Sequence, residues 1–105
     1  MAVTGELEQA VMDILWSRPS SRSVREVHEL LSTDRDLAYT TVMTVLDRLA
    51  KKGLLLRNLE GRAWLYAPAR SRVEEATAEV LELLQRLTAA ERSQLLARLS
   101  AVTPA

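Results

Sequence analysis

Residues 38–53 read AYTTVMTVLDRLAKKG, and this stretch sets the fold. Val42, Val45, Leu46 and Leu49 recur at helical spacing and predict one apolar stripe turned to a core. The remaining positions hold Tyr39, Thr40, Thr41, Met43, Thr44, Asp47, Arg48, Lys51 and Lys52. The outer face is thus uncharged and hydroxyl-bearing in its first half and basic in its second. A helix entering a major groove by its N-terminal end needs that order. Short polar side chains meet base edges, and cations further along meet phosphates. A plain surface helix with mixed polar residues has the same composition, so the flanking sequence must decide.

Upstream, Ser23-Val24-Arg25-Glu26 is a capping box that starts a helix running to about Ser32, with Val24, Val27, Leu30 and Leu31 inward. Thr33 to Asp36 make a polar turn into the stretch above, so the two segments form a helix-turn-helix. Before them, residues 4–17 predict a first helix with Thr4 as N-cap and Glu6 and Glu8 in its first turn. Its inward positions are Leu7, Val11, Ile14 and Leu15. Pro19 ends it, and Ser20 to Ser23 leave room for a very short extended segment.

Downstream, Gly53 after Lys51-Lys52 marks a helix end. Residues 54–57 read as a strand, 58–61 as a turn and 62–66 as a returning strand stopped by Pro68. Such a hairpin is a wing, and Arg57 and Arg62, which flank its tip, suit phosphate contacts. From Ser71 the pattern changes to two helices, the second opened by the capping box Thr88-Ala89-Ala90-Glu91. Val80, Leu81, Leu84, Leu87, Leu95, Leu96 and Leu99 are more apolar surface than a short appendage can hide, and point to homodimerisation. Folding back onto the chain's own first domain is the alternative. The expected architecture is mainly α with a small β wing: a winged helix-turn-helix over 1–69 and a helical dimerisation hairpin over 70–105.

Net charge is zero over 105 residues, yet residues 37–72 carry seven cations against two acids, a local excess of five positive charges. Local field, rather than total charge, steers a polyanion. The absence of Cys excludes disulfides, thiolate metal sites and cysteine nucleophiles. His28 is the single histidine and has no partner ligand in the sequence, so a structural role is expected. Glu74, Glu75 and Glu79 read as a solvated helix face. Trp16, Trp64 and Tyr66 read as core anchors. No catalytic constellation and no phosphate-cradling glycine loop is present, so an enzyme is not expected, nor a cofactor or metal. No apolar run reaches the ~18 residues of a membrane span, and no signal-peptide core precedes the first helix, which predicts a cytoplasmic protein without membrane insertion.

The segments GELEQAVMDILW (5–16), SVREVHELL (23–31), AYTTVMTVLDRLAKKGLL (38–55) and WLYAP (64–68) resemble the penicillinase-repressor family of bacterial regulators, the BlaI/MecI/CopY type. The resemblance covers about two thirds of the chain. It implies a winged-helix repressor that binds double-stranded palindromic operator DNA as a homodimer, with control of β-lactamase or cell-envelope stress genes. In one branch it implies an indirect link to a membrane sensor peptidase, with induction by cleavage. The Cys-dependent copper branch does not carry over. The C-terminal region reads as shorter than is typical of the family, and no family-like cleavage sequence is placed in it. The DNA-binding residues expected on this reading are Tyr39, Thr40, Thr41, Met43 and Thr44 at bases, with Arg48, Lys51, Lys52, Arg57 and Arg62 at phosphates. A winged-helix module that docks a protein instead of DNA is the rival.

Overall fold

A computed structural model describes residues 3, 5–17, 20–33 and 35–102. The element order is α1 (Glu6–Ser17), β1 (Arg22–Ser23), α2 (Val24–Leu31), α3 (Tyr39–Lys51), β2 (Leu55–Glu60), β3 (Ala63–Pro68), α4 (Arg72–Gln85) and α5 (Ala89–Val102). The chain divides into two compact units, residues 1–72 and 73–105.

In the first unit, α1, α2 and α3 enclose a core of Val11, Met12, Leu15, Val24, Val27, Leu31, Val42, Val45, Leu46, Leu49, Leu54, Leu55 and Tyr66. The apolar stripe of α3 is wholly inside, and Val42, Leu46 and Leu49 have no exposed surface. The capping box of α2 is complete: Glu26 N donates to Ser23 Oγ at 3.1 Å, and Ser23 N donates to Glu26 Oε1 at 2.9 Å. The bond from the Ser23 backbone N–H, more than any other contact, holds the Glu26 carboxyl below its ordinary range. Leu30, expected inward, is exposed. This eight-residue helix buries only Val24, Val27 and Leu31, which leaves Leu30 on the shoulder of the stripe. The N-cap expected at Thr4 and the helix stop at Arg18-Pro19 lie outside the described residues.

The three strands form one antiparallel sheet in the order β1-β3-β2. The hairpin is longer than its sequence suggests. Asn58, Leu59 and Glu60 pair with Leu65, Trp64 and Ala63 rather than turning, and Pro68 is still in register with Leu55. The turn is Gly61-Arg62, with Gly61 at φ 63°, a conformation cheap only for glycine at the first position of a tight hairpin turn. Trp64 is not a core anchor: it is 42% exposed, whereas Tyr66, two residues on and on the same face, is buried. Trp16 is half-buried on α1. Its indole N–H donates to the Arg70 carbonyl at 3.0 Å, and the Arg72 guanidinium lies 4.8 Å from its ring.

The second unit is the helix pair α4 and α5. Thr88 and Glu91 make the second capping box, with N–H···O distances of 3.2 and 2.9 Å. Arg92 donates to the Leu84 carbonyl across the turn between the two helices. Glu75, expected on a solvated face, is buried, while Glu74 beside it is exposed. Val102 is the last residue of α5.

Candidate nucleic-acid interface

The side of α3 away from the core is exposed from its first turn to its last. Tyr39 is 46% and Met43 43% exposed, and Thr40, Thr41 and Thr44 are exposed with them. Ala38 is the N-cap, with no side-chain bond to the first turn, so no side chain competes there for a bound anion. Thr44 donates to the Thr40 carbonyl at 2.9 Å, which fixes its rotamer and leaves its oxygen lone pairs facing outward as acceptors.

The loop entering α3 is held by His28. Its Nε2 lies 2.7 Å from the Leu37 carbonyl oxygen, and since a carbonyl only accepts, Nε2 carries the proton. The Tyr39 ring meets the His28 ring edge-on at 5.7 Å. The lone histidine is therefore a structural strut that aims Tyr39.

The five expected phosphate-binding cations have different fates. Arg48 and Lys51 lie exposed along the second half of α3. Lys51 pairs with Asp47 at 3.0 Å. Lys52 turns inward instead: its ammonium lies 2.8 Å from a Glu8 carboxylate that is only 5% exposed, so it ties the end of α3 to α1. The charge expected at a phosphate is thus already engaged within the domain. Arg57, expected beside the wing tip, lies further from it because the hairpin is longer. It sits in β2 opposite Tyr66, donates to Asp47 at 3.0 Å and lies 4.7 Å from the Trp64 ring. Tyr66 and then Asp47 favour its charged form, and Lys51 and then Arg57 hold the Asp47 carboxyl below its ordinary range. Arg62 alone of the five is in the wing turn. Arg48 and Arg62 have no ion-pair partner among the described residues.

Sequence reasoning missed Asp47 as the acceptor that joins helix to wing. Its pairing with Lys51 was legible, since acid and base stand four residues apart on a helix. Its pairing with Arg57 depends on how the hairpin folds back, which no local spacing announces. In the second unit, Val80, Leu81, Leu96 and Leu99 are 41–53% exposed, and Leu84, Leu87 and Leu95 are half-buried.

Three helices, a three-stranded antiparallel sheet and a β-hairpin following the second helix of a helix-turn-helix define a winged-helix domain. The chain belongs to the penicillinase repressor family, whose model matches residues 4–104. The transcriptional regulator BlaI of Mycobacterium tuberculosis is 63% identical over 70 residues, covering 67% of this chain and 51% of that protein. The chain thus spans about half the length of that relative. The solution structure of the DNA-binding domain of the repressor BlaI superposes with a TM-score of 0.60 at 33% identity, covering 66% of this chain and 83% of that one. The monomeric form of Bacillus licheniformis BlaI in complex with the blaP half-operator gives 0.56 at 32% identity, covering 68% and 85%. Among the described residues, no helix is long and apolar enough to cross a membrane.

Proposed function

We propose that this chain is a sequence-specific DNA-binding transcriptional repressor that acts in the cytoplasm as a homodimer on a palindromic operator. The observation that carries the reading is the outer face of α3, with exposed Tyr39, Thr40, Thr41, Met43 and Thr44 followed by exposed Arg48 and Lys51. The half-operator complex of a relative with the same domain fold supports it. Base edges would meet the threonines, Met43 and Tyr39, and phosphates would meet Arg48, Lys51, Arg57 and Arg62. The exposed leucines of α4 and α5 support pairing of two copies through the second unit, which would set two α3 helices on two half-sites. Control of β-lactamase or envelope-stress genes, and a link to a membrane sensor peptidase, belong to the same proposal and rest on family membership.

The test is a binding series on random-sequence duplex and on sites selected from a randomised pool. Lys51→Ala should weaken binding to every duplex and lower the slope of log affinity against log salt by about one. Thr44→Ala should change the selected sequence more than the affinity for random duplex. Absence of binding to any duplex, or binding indifferent to salt, would sink the reading and favour a protein-docking module.

A further inference from the structure

The geometry points to Asp47 as a built-in competitor of the DNA backbone, an internal anion that holds Lys51 and Arg57 until phosphates displace it. The inference rests on the DNA-binding reading above and names the residue that would tune it. Asp47 Oδ2 lies 3.0 Å from Lys51 Nζ, and Oδ1 lies 3.0 Å from Arg57 Nη1. One carboxylate thus uses one oxygen for a cation of the helix and the other for a cation of the wing. Trp64 supports the arrangement, with the Arg57 guanidinium 4.7 Å from its ring. Asp47 and Arg57 line a shallow cleft between α3 and the hairpin with Met43, Thr44, Trp64 and Tyr66, and Asp47 and Lys51 line a second one along α3 with Thr44 and Arg48, both beside the proposed reading face.

Three features separate this from an ordinary surface salt bridge. Both partners of Asp47 are cations that the proposed complex needs. All three side chains remain at least 37% exposed, so a phosphate can reach them without unfolding anything. The group also reduces the free cationic charge near the reading face: with Lys52 held by Glu8 as well, only Arg48 and Arg62 of the five candidates are left without an ion-pair partner among the described residues.

The physical consequence is an exchange rather than an addition. When a phosphate takes Lys51 or Arg57, the duplex releases a condensed counterion. The freed Asp47 carboxylate then takes up a cation from solution and faces the polyanion unpaired. Net ion release is therefore smaller than the number of phosphate contacts, and affinity for any duplex is held down. Sequence preference is untouched, because the exchange occurs at the backbone and not at base edges.

The test is Asp47→Asn in the full chain, measured on random-sequence duplex and on sites selected by the unsubstituted protein, from 50 to 300 mM salt. The expected result is a gain of about three- to tenfold on random duplex at 0.1 M salt, with the salt slope steeper by about one and the selected sequence unchanged. Asp47→Ala should behave alike, and Asp47→Glu, which keeps the charge, should return the slope toward that of the unsubstituted protein. Thermal melting followed by circular dichroism shows that each variant is folded. Affinity and slope unchanged in both Asn and Ala variants overturn the inference. So does a loss confined to one base of the selected site, since Asp47 would then be reading a cytosine amino group. If the unsubstituted protein binds duplex with a salt slope and the variants match it, the inference alone fails. If none binds, the DNA-binding reading fails and this inference with it.

Discussion

Residues 1–72 and 73–105 are both rich in aliphatic side chains, but they use them in opposite ways. All the buried hydrophobic residues identified among the described positions belong to the first unit. In the second, Val73, Val80, Leu81, Leu83, Leu96, Leu99 and Val102 are each more than 40% exposed. Two helices meeting along one seam cannot cover stripes that extend around both, whereas three helices and a sheet can. The first unit is thus complete within one chain, and the second presents surface that suits another copy. The contrast separates fold stability from assembly as measurable quantities.

The contrast is tested most strongly by truncating one leucine in each unit. Leu46 is fully buried, so Leu46→Ala should cost about 3 kcal/mol of stability, read by urea unfolding of the first unit's far-UV signal. Leu81 is 53% exposed and Leu96 51%. Leu81→Arg with Leu96→Arg should leave the first unit's melting intact and lower the association constant of the proposed dimer by about tenfold or more, read by sedimentation equilibrium. A dimer that survives both arginines would place the association surface elsewhere, and a collapse of the first unit's stability would end the contrast.

Lys51 and Lys52 repeat that contrast at the scale of adjacent residues. The Lys51 side chain is 73% exposed, and the Lys52 side chain 17%, against a Glu8 at 5%. Lys52→Met should lower stability by about 2–3 kcal/mol, because a buried carboxylate loses its cation, while the salt slope on random duplex barely moves. Lys51→Ala should do the reverse, with a stability change within about 0.5 kcal/mol and a slope lower by about one. Equal effects of the two substitutions in either assay would contradict the division of labour between these lysines.

How much of this was legible in the sequence follows the range of each interaction. The stripe of α3, both capping boxes and the glycine after Lys52 are local patterns, and the structure has them where the spacing puts them. The strand pair extends beyond its sequence pattern because Asn58 and Glu60 are weak strand formers, and their pairing depends on β3 arriving opposite them. Trp64 fits a core pattern because a large aromatic is normally buried. Its actual neighbour, Arg57, comes across the hairpin. Lys52 and Glu8 stand 44 residues apart, and nothing in a run of two lysines tells which of them will face inward. In the proposed interface, the residue types were readable from periodicity, but the charges already engaged inside the protein were not.

The smallest expected effect concerns the start of α2, which sets the approach to α3. Glu26 is exposed, so the capping box contributes through its hydrogen bonds more than through burial. Its carboxyl is held below the ordinary glutamate range, first by the Ser23 backbone N–H. A carboxyl whose pKa is lower folded than unfolded binds fewer protons in the native state over that range. It therefore adds stability that is fully present above the ordinary glutamate range and is lost as pH falls through the lowered folded-state pKa. Glu26→Gln removes the titration and keeps an amide oxygen for the same bond. The variant should lose a few tenths of a kcal/mol at neutral pH, and its stability difference from the unsubstituted protein should vanish in acid once the carboxyl is protonated in the folded state. Ser23→Ala breaks the other bond of the box and should cost about 1 kcal/mol. Part of that cost should persist in acid, because the hydroxyl accepting from Glu26 N–H does not titrate there. Parallel acid and neutral melts of the two variants separate the two halves of the cap. A Glu26→Gln deficit that grows as pH falls would mean that the carboxylate is strained rather than stabilised at the head of α2.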